Sequence, residues 1–397
     1  MSVMVEYGEA IGAPRLRPIT RAHVDSCLYQ GPSGLDFVGR LLEGKTTVAV
    51  PTTLNVGAVD LLHPALNRGD ADTLRAGRRL MSSYQKLGCT PTWTCAPYQL
   101  PDRPAFGEQV AWAESNAIVF INSVVGARTA RYGDLIDICA AVTGRVPEHG
   151  LHLSENRRGE VVFDVSTLNP KWFGEELLWP LLGLLVGQRT GKFIPVVVGV
   201  PGSPAEDDLK AFGAASASSG SVALFHVVGT TPEAPTIEAA LQGGKPVAEI
   251  TVTDAMLRQA QQKLGSGRNA ELVAVSVGTP HFSRSEFERL IRIIDGRKRG
   301  TSIDFYVSTG RRILNDLERD GMLEPLLNFG IEIVTDTCTY LKPIIRRREG
   351  LVMTNSAKWA YYAPGNLGYE VMLASLADCV ESAIAGRPSS RGLPFDA

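Results

Sequence analysis

The sequence predicts an α/β fold, with parallel or mixed sheets flanked by helices, and three observations carry that reading. Short β-branched runs recur along the chain, and stretches of helical periodicity lie between them. Polar segments rich in chemically capable side chains follow several of the runs, as they do where parallel strands end in functional loops.

Taken in order, the runs are 46–51, 118–122, 193–200, 222–228, 272–277, 302–307 and 331–336. Each is rich in Val and Ile and of strand length. Helical patterns cover 71–87, 204–212, 254–264, 283–295 and 309–320. Two helix starts are marked chemically. Thr253-Asp254 offers capping oxygens, and Ser283 with Glu286 fits the reciprocal capping box. The small, Ser-rich stretch 213–220 reads as structural.

The composition narrows the function classes. The chain has 397 residues, 44% hydrophobic and 21% charged, which suits a globular protein with a sizeable core. Net charge is −2 and no basic stripe stands out, so nucleic acid has no electrostatic footprint. Arg297-Lys298-Arg299 and Arg346-Arg347-Arg348 read as solvated loops or helix ends. Residues 1–14 have no apolar core of a secretory signal, and the apolar run 177–186 is too short to span a bilayer. A cytoplasmic location is expected. The expected organisation is an N-terminal extension over 1–16, a catalytic domain of two or more α/β lobes over 17–386, and a tail over 387–397.

Six cysteines in so long a chain are not a disulfide framework. Cys139 and Cys379 sit in small-residue helical stretches and read as core, whereas Cys89 between a helix end and a turn is open. Cys27, Cys95 and Cys338 sit in polar, turn-like contexts. The Cys89–Cys95 gap is too long for the paired spacing of structural zinc. Widely separated single cysteines suit an iron–sulfur cluster assembled by the fold.

Longer motifs carry a resemblance. Trp93-Thr94-Cys95-Ala96-Pro97-Tyr98, Phe106-Gly107-Glu108, Trp112-Ala113-Glu114-Ser115-Asn116-Ala117 and Asn122-Ser123-Val124-Val125-Gly126-Ala127-Arg128-Thr129 are similar to the aconitase X family. So are Val50-Pro51-Thr52-Thr53-Leu54-Asn55-Val56, Thr143-Gly144-Arg145-Val146-Pro147, Gly150-Leu151-His152-Leu153, Asp336-Thr337-Cys338 and Thr354-Asn355-Ser356-Ala357-Lys358-Trp359. The likeness runs from about Arg17 to Ala385, in the family's order.

The resemblance implies a dehydratase of the aconitase superfamily, acting on cis-3-hydroxy-L-proline in bacterial members and on mevalonate 5-phosphate in archaeal ones. It implies an iron–sulfur cluster acting as Lewis acid on the leaving hydroxyl. It also implies a serine base carried on a swivelling small domain, here expected from a separate small subunit. The archaeal pattern places cluster cysteines at Cys95 and Cys338 and a third in a Gly-Cys-Pro-His loop. This chain departs from it, reading Gly278-Thr279-Pro280-His281, while Cys27 appears where the archaeal form lacks a cysteine. The expected ligands are therefore Cys27, Cys95 and Cys338, favouring a 2Fe–2S over a 4Fe–4S cluster and the hydroxyproline branch.

By motif position, Glu114, Ser356 and Lys358 are candidate catalytic groups. Thr53, Asn55, Asn116, Arg128 and Thr279 are candidates for binding substrate. His281 and His152 read as structural residues or as groups behind the ligands rather than as ligands, and His23 as a group bracing the cluster from behind. Dehydration of mevalonate 5-phosphate stays open, although no glycine-rich phosphate cradle is evident. A binding protein that kept the fold, and a zinc-dependent lyase, also stay open.

Overall fold

The structure, a computed structural model, describes residues 1–264, 270–299, 303–347 and 349–393. Ser302, Arg348 and the last four residues, which fall in a predicted strand, loop and tail, lie outside that set.

The first part holds α1 (Ser2–Ala10), β1 (Leu16–Pro18), β2 (Ala22–Val24), α2 (Pro32–Glu43), β3 (Thr52–Leu54), α3 (Ala71–Lys86), β4 (Ala111–Trp112), α4 (Ser115–Phe120), α5 (Ile136–Thr143) and β5 (Arg145–Pro147). Strands β3, β2 and β4 form a small parallel sheet, and β1 pairs antiparallel with β5. The extension predicted over 1–16 thus contains a helix, α1, that packs on β5.

The second part runs β6 (Val161–Asp164), α6 (Leu178–Thr190), β7 (Pro195–Val198), α7 (Glu206–Gly220), β8 (His226–Val227), α8 (Ile237–Ala240), β9 (Ala248–Thr251) and α9 (Asp254–Lys263). Its parallel sheet has the order β8–β7–β6–β9. Helix α6 is apolar almost all round and buried over nearly its whole length, as its sequence demands. It lies against α7 at backbone-contact range. A Cβ added to Gly183 would sit 2.3 Å from the Phe212 carbonyl, and one on Gly220 only 1.8 Å from that of Gly187. The Ser-rich stretch 213–220 is the helical half of that contact, and its small residues are what let the two backbones approach.

The third part runs β10 (Leu272–Val277), α10 (Arg284–Ile294), β11 (Asp304–Ser308), α11 (Arg311–Arg319), α12 (Leu323–Phe329), β12 (Ile331–Val334), β13 (Leu351–Thr354), α13 (Ala357–Leu367), β14 (Glu370–Leu373) and α14 (Leu376–Ala385). All five strands are parallel in the order β12–β11–β10–β13–β14. Every residue of the central strand β10 is buried, as expected of a strand covered on both faces. The Ser283–Glu286 capping box forms as read, with the Glu286 carboxylate accepting the Ser283 amide at 2.8 Å. Thr253 occupies the N-cap of α9 but makes no side-chain cap bond.

Two expected strands are not strands. Residues 118–122 lie in α4 and the wide helical turn that follows it, because Glu114 caps this buried segment and α7 packs against it. An apolar run of five buried on all sides reads alike as strand or helix. Residues 46–51 form no regular ladder, and β3 begins only at Thr52. Among the described residues, no helix is long and apolar enough to cross a membrane.

Candidate metal centre and substrate cavity

Because the five-stranded sheet is parallel, the loops leaving β10, β12 and β13 emerge on one rim. The first two carry His281 and Cys338, and the third leads into the first turn of α13, which holds Lys358. The turn Thr94-Cys95-Ala96 reaches the rim from the first part. Cys95 Sγ, Cys338 Sγ and a His281 ring nitrogen lie within 4.8 Å of one another, all buried. The sequence reading paired the two cysteines but did not take His281 for a ligand.

Several bonds fix this group. The His281 amide donates to Cys95 Sγ at 3.3 Å, and His281 Nδ1 lies 3.1 Å from Thr94 Oγ1. Its Nε2 is buried without a hydrogen-bond partner. Burial lowers the His281 imidazole to a pKa of about 4, so the ring is neutral and keeps a lone pair for a metal. Contact with Cys95, then burial, holds the Cys338 thiol well above the ordinary range. A cation taking the place of the Cys338 proton would relieve that cost. Soft thiols, a neutral imidazole with a free nitrogen and an apolar surround fit an iron–sulfur centre.

The Glu114 carboxylate bridges the two sides. It forms a buried ion pair with Lys358 Nζ, accepts the Asn116 amide at 2.7 Å, and caps α4 through the Ala117 amide at 2.8 Å. Burial alone would raise Glu114, but the Lys358 ammonium outweighs it and leaves the carboxyl below its usual range. Burial likewise opposes the Lys358 charge, yet Glu114, Tyr340 and Cys95 hold its pKa well above normal. Asn116 also donates to the Cys95 carbonyl at 2.5 Å and accepts from Tyr98 Oη at 2.7 Å. It therefore anchors the cysteine turn rather than facing open space.

A cavity of about 280 Å3 opens beside Cys95, walled by Asp25, Asn55, Glu114, Lys358, Tyr340 and Tyr362 among others. Asp25 escaped the sequence reading as a site residue, although it lies two residues before Cys27. Burial, then the nearby Glu114, pushes it up to about 7. The clue was positional: it follows β2 directly, at the carboxyl end of a parallel strand.

The remaining candidates divide. Asn55 lines the cavity and donates to Asp25. Thr53 lies two residues earlier, in β3, its hydroxyl 2.8 Å from His23 Nδ1, and it does not line the cavity. Thr279 and Ser356 border a second cavity of about 370 Å3, across Lys358 from the first. Ser356 caps α13 through the Trp359 amide at 3.0 Å and also donates to the Thr279 carbonyl. The Thr279 hydroxyl is buried and unpartnered. Arg128 is not brought to either cavity. Its guanidinium donates to Ser154 Oγ at 2.7 Å and to the His152 carbonyl at 3.4 Å, bracing a loop. Cys27 stands outside the 4.8 Å group, its thiol turned to the carbonyls of Val24, Asn55 and Val56 at 3.5, 3.4 and 3.7 Å. Cys89, Cys139 and Cys379 are buried in the core.

Comparison with known proteins identifies the family. Residues 1–155 match the Aconitase X first domain, 159–262 the second and 272–385 the third. The cis-3-hydroxy-L-proline dehydratase of Pseudomonas aeruginosa is 41% identical over 99% of this chain, which spans 68% of that protein. This chain belongs to the aconitase X family. The enzyme of the same name from Hypocrea jecorina is 40% identical over 97% of the chain, which spans 65% of that relative. The phosphomevalonate dehydratase large subunit of Thermococcus kodakarensis is 31% identical over 96% of the chain and 94% of its own length. The crystal structure of Thermococcus kodakaraensis aconitase X in its holo-form superposes with a TM-score of 0.86 at 30% identity, covering 96% of this chain and 94% of that one. Family relatives bear dehydratase names whichever substrate they act on.

Proposed function

We propose that the chain is the large, catalytic part of an iron–sulfur hydro-lyase that converts cis-3-hydroxy-L-proline to Δ1-pyrroline-2-carboxylate. The observation that carries the reading is the convergence of Cys95, Cys338 and His281 beside a cavity bearing Asp25, Glu114 and Lys358. Identity is higher to the two hydroxyproline dehydratases than to the phosphomevalonate enzyme.

Cys95 and Cys338 would hold the cluster, with Cys27 as third thiolate in a 2Fe–2S centre. The Cys27 thiol contacts the carbonyls of Asn55 and Val56, two residues that line the cavity with Cys95. His281 is the rival third donor, favoured by its ring nitrogen in the 4.8 Å group. When bound, such a centre supplies Lewis acidity to the departing hydroxyl.

The chain's own residues do the rest. Lys358, fixed by Glu114, presents a permanent positive charge to the cavity, where it offsets negative charge building on the substrate carboxylate as the Cα proton leaves. That proton passes to a base, a serine, on a swivelling partner module contributed as a small subunit. The C3–hydroxyl bond breaks, the hydroxide takes up a proton equivalent to the one removed from Cα and departs as water, and the resulting enamine tautomerises to the cyclic imine. Glu114 and Asn116 keep the Cys95 turn in place while the substrate is bound.

Incubating the iron-loaded chain, with and without its partner module, with cis-3-hydroxy-L-proline and with mevalonate 5-phosphate tests the proposal. Formation of Δ1-pyrroline-2-carboxylate only with the partner present is expected. Turnover of the phosphorylated substrate alone, or full activity without the partner, contradicts it.

A further inference from the structure

The cavity beside Cys95 holds an acid without a counter-charge. Asp25 and Glu114 face one cation in its walls, Lys358, and that cation is bound to Glu114. Asp25 Oδ1 accepts the Asn55 amide, and among the described residues no lysine, arginine or histidine pairs with Asp25. Its placement is built with care. The backbone amides of Asp25 and Ser26 donate to the buried Asp137 carboxylate at 2.7 and 2.9 Å. Ser26 Oγ donates to the same carboxylate at 2.7 Å and accepts from Tyr84 Oη at 2.7 Å. With no cation of its own in the cavity wall, the Asp25 carboxyl is costly to ionise, and an arriving cation would offset that cost. The same cavity is lined by Tyr340 and Tyr362, stacked with ring centroids 5.9 Å apart and planes 17° from parallel. They provide a flat apolar wall suited to ring methylenes.

We infer that Asp25 is the specificity-determining residue that receives a secondary ammonium, so that the cavity selects cyclic amino acids over ligands of the same shape lacking the nitrogen. The inference rests on the reading of the substrate as a hydroxyproline, and it fixes which end of that substrate faces β2. An ammonium on Asp25 puts the ring against the tyrosines and brings the ring carbons toward Cys95.

The test compares binding of L-proline with that of tetrahydrofuran-2-carboxylate, in which the ring nitrogen is replaced by oxygen. The protein is the complete iron-loaded enzyme with its partner module, and the measurement is calorimetry. Wild type should prefer L-proline by about 10- to 100-fold, the range of a charge-assisted hydrogen bond. In Asp25→Asn the preference should collapse toward unity with iron content unchanged, and Asp25→Ser should do the same if the first variant folds poorly. A wild-type enzyme that binds both equally, or variants that keep the preference, overturn the inference. A preserved proline preference without turnover of cis-3-hydroxy-L-proline upholds Asp25 and defeats the dehydratase reading instead.

Discussion

The ammonium of Lys358 meets the carboxylate of Glu114 in a buried ion pair, tying the start of α13 to the N-cap of α4. Both side chains are almost fully enclosed, at 3% and 8% exposure, so neither can turn to water if the other is lost. Lys358→Met should therefore destabilise the fold by about 3–5 kcal/mol, the cost of stranding a buried charge. The double variant Lys358→Met/Glu114→Gln should recover much of that loss. Urea unfolding of the three proteins measures it, and equal losses in the single and double variants would deny the coupling.

Asn116 should act on the metal centre without touching it. Its amide bonds the Cys95 carbonyl and Glu114 while its oxygen accepts from Tyr98. Asn116→Ala leaves buried partners unsatisfied, a cost of about 1–3 kcal/mol. Bound iron should also pass faster to a chelator, because the Cys95 turn loses its anchor. Thermal denaturation and a colorimetric chelation assay check the two halves. Unchanged chelation kinetics would reduce Asn116 to a purely structural residue.

Acid should weaken the protein through His152. Burial, reinforced by Arg17, Arg157 and Arg128, lowers this imidazole from 6.5 to about 3. The unfolded chain takes up the proton below about 6.5, the native chain only below about 3. Stability is thus fully present above 6.5 and is lost as pH falls from there toward 3. His152→Gln, placed to keep bonds to Tyr132 and Gln109, should flatten the stability–pH curve in that window. An unaltered slope would assign acid sensitivity to other groups.

Cys27 decides the third ligand. Cys27→Ala should lower bound iron and change the cluster spectrum, whereas His281→Ala should leave the iron count nearly intact. The reverse pattern would transfer the third position to His281.

Much of this was legible in the sequence, and the failures have physical causes. The loop after β10 was readable because 272–277 is long enough for strand character to separate from helix, and the Ser283–Glu286 box signals its helix chemically. Polar surroundings singled out Cys27, Cys95 and Cys338 alike, and only the family motifs marked Cys95 and Cys338 as the pair that the fold brings together. Residues 118–122 misled because burial on every side erases periodicity. Strands of two to four residues, such as β2, β4, β6 and β13, hold too few positions for alternation to register. Arg128 looked available for a carboxylate, yet its bonds to Ser154 and the His152 carbonyl depend on a loop that no local pattern encodes. Asp25 was missed because a lone carboxylate beside a cysteine has no local signature, and its meaning comes from Asn55 and the cavity wall.

Anaerobic reconstitution followed by iron and acid-labile sulfide analysis, with electron paramagnetic resonance after reduction, tests the central claim most directly. Wild type should bind iron and sulfide together and give a cluster signal, and Cys95→Ala and Cys338→Ala should each lose both while retaining native circular dichroism. A folded Cys95→Ala/Cys338→Ala double variant that still carries the full complement of iron and sulfide would contradict the account.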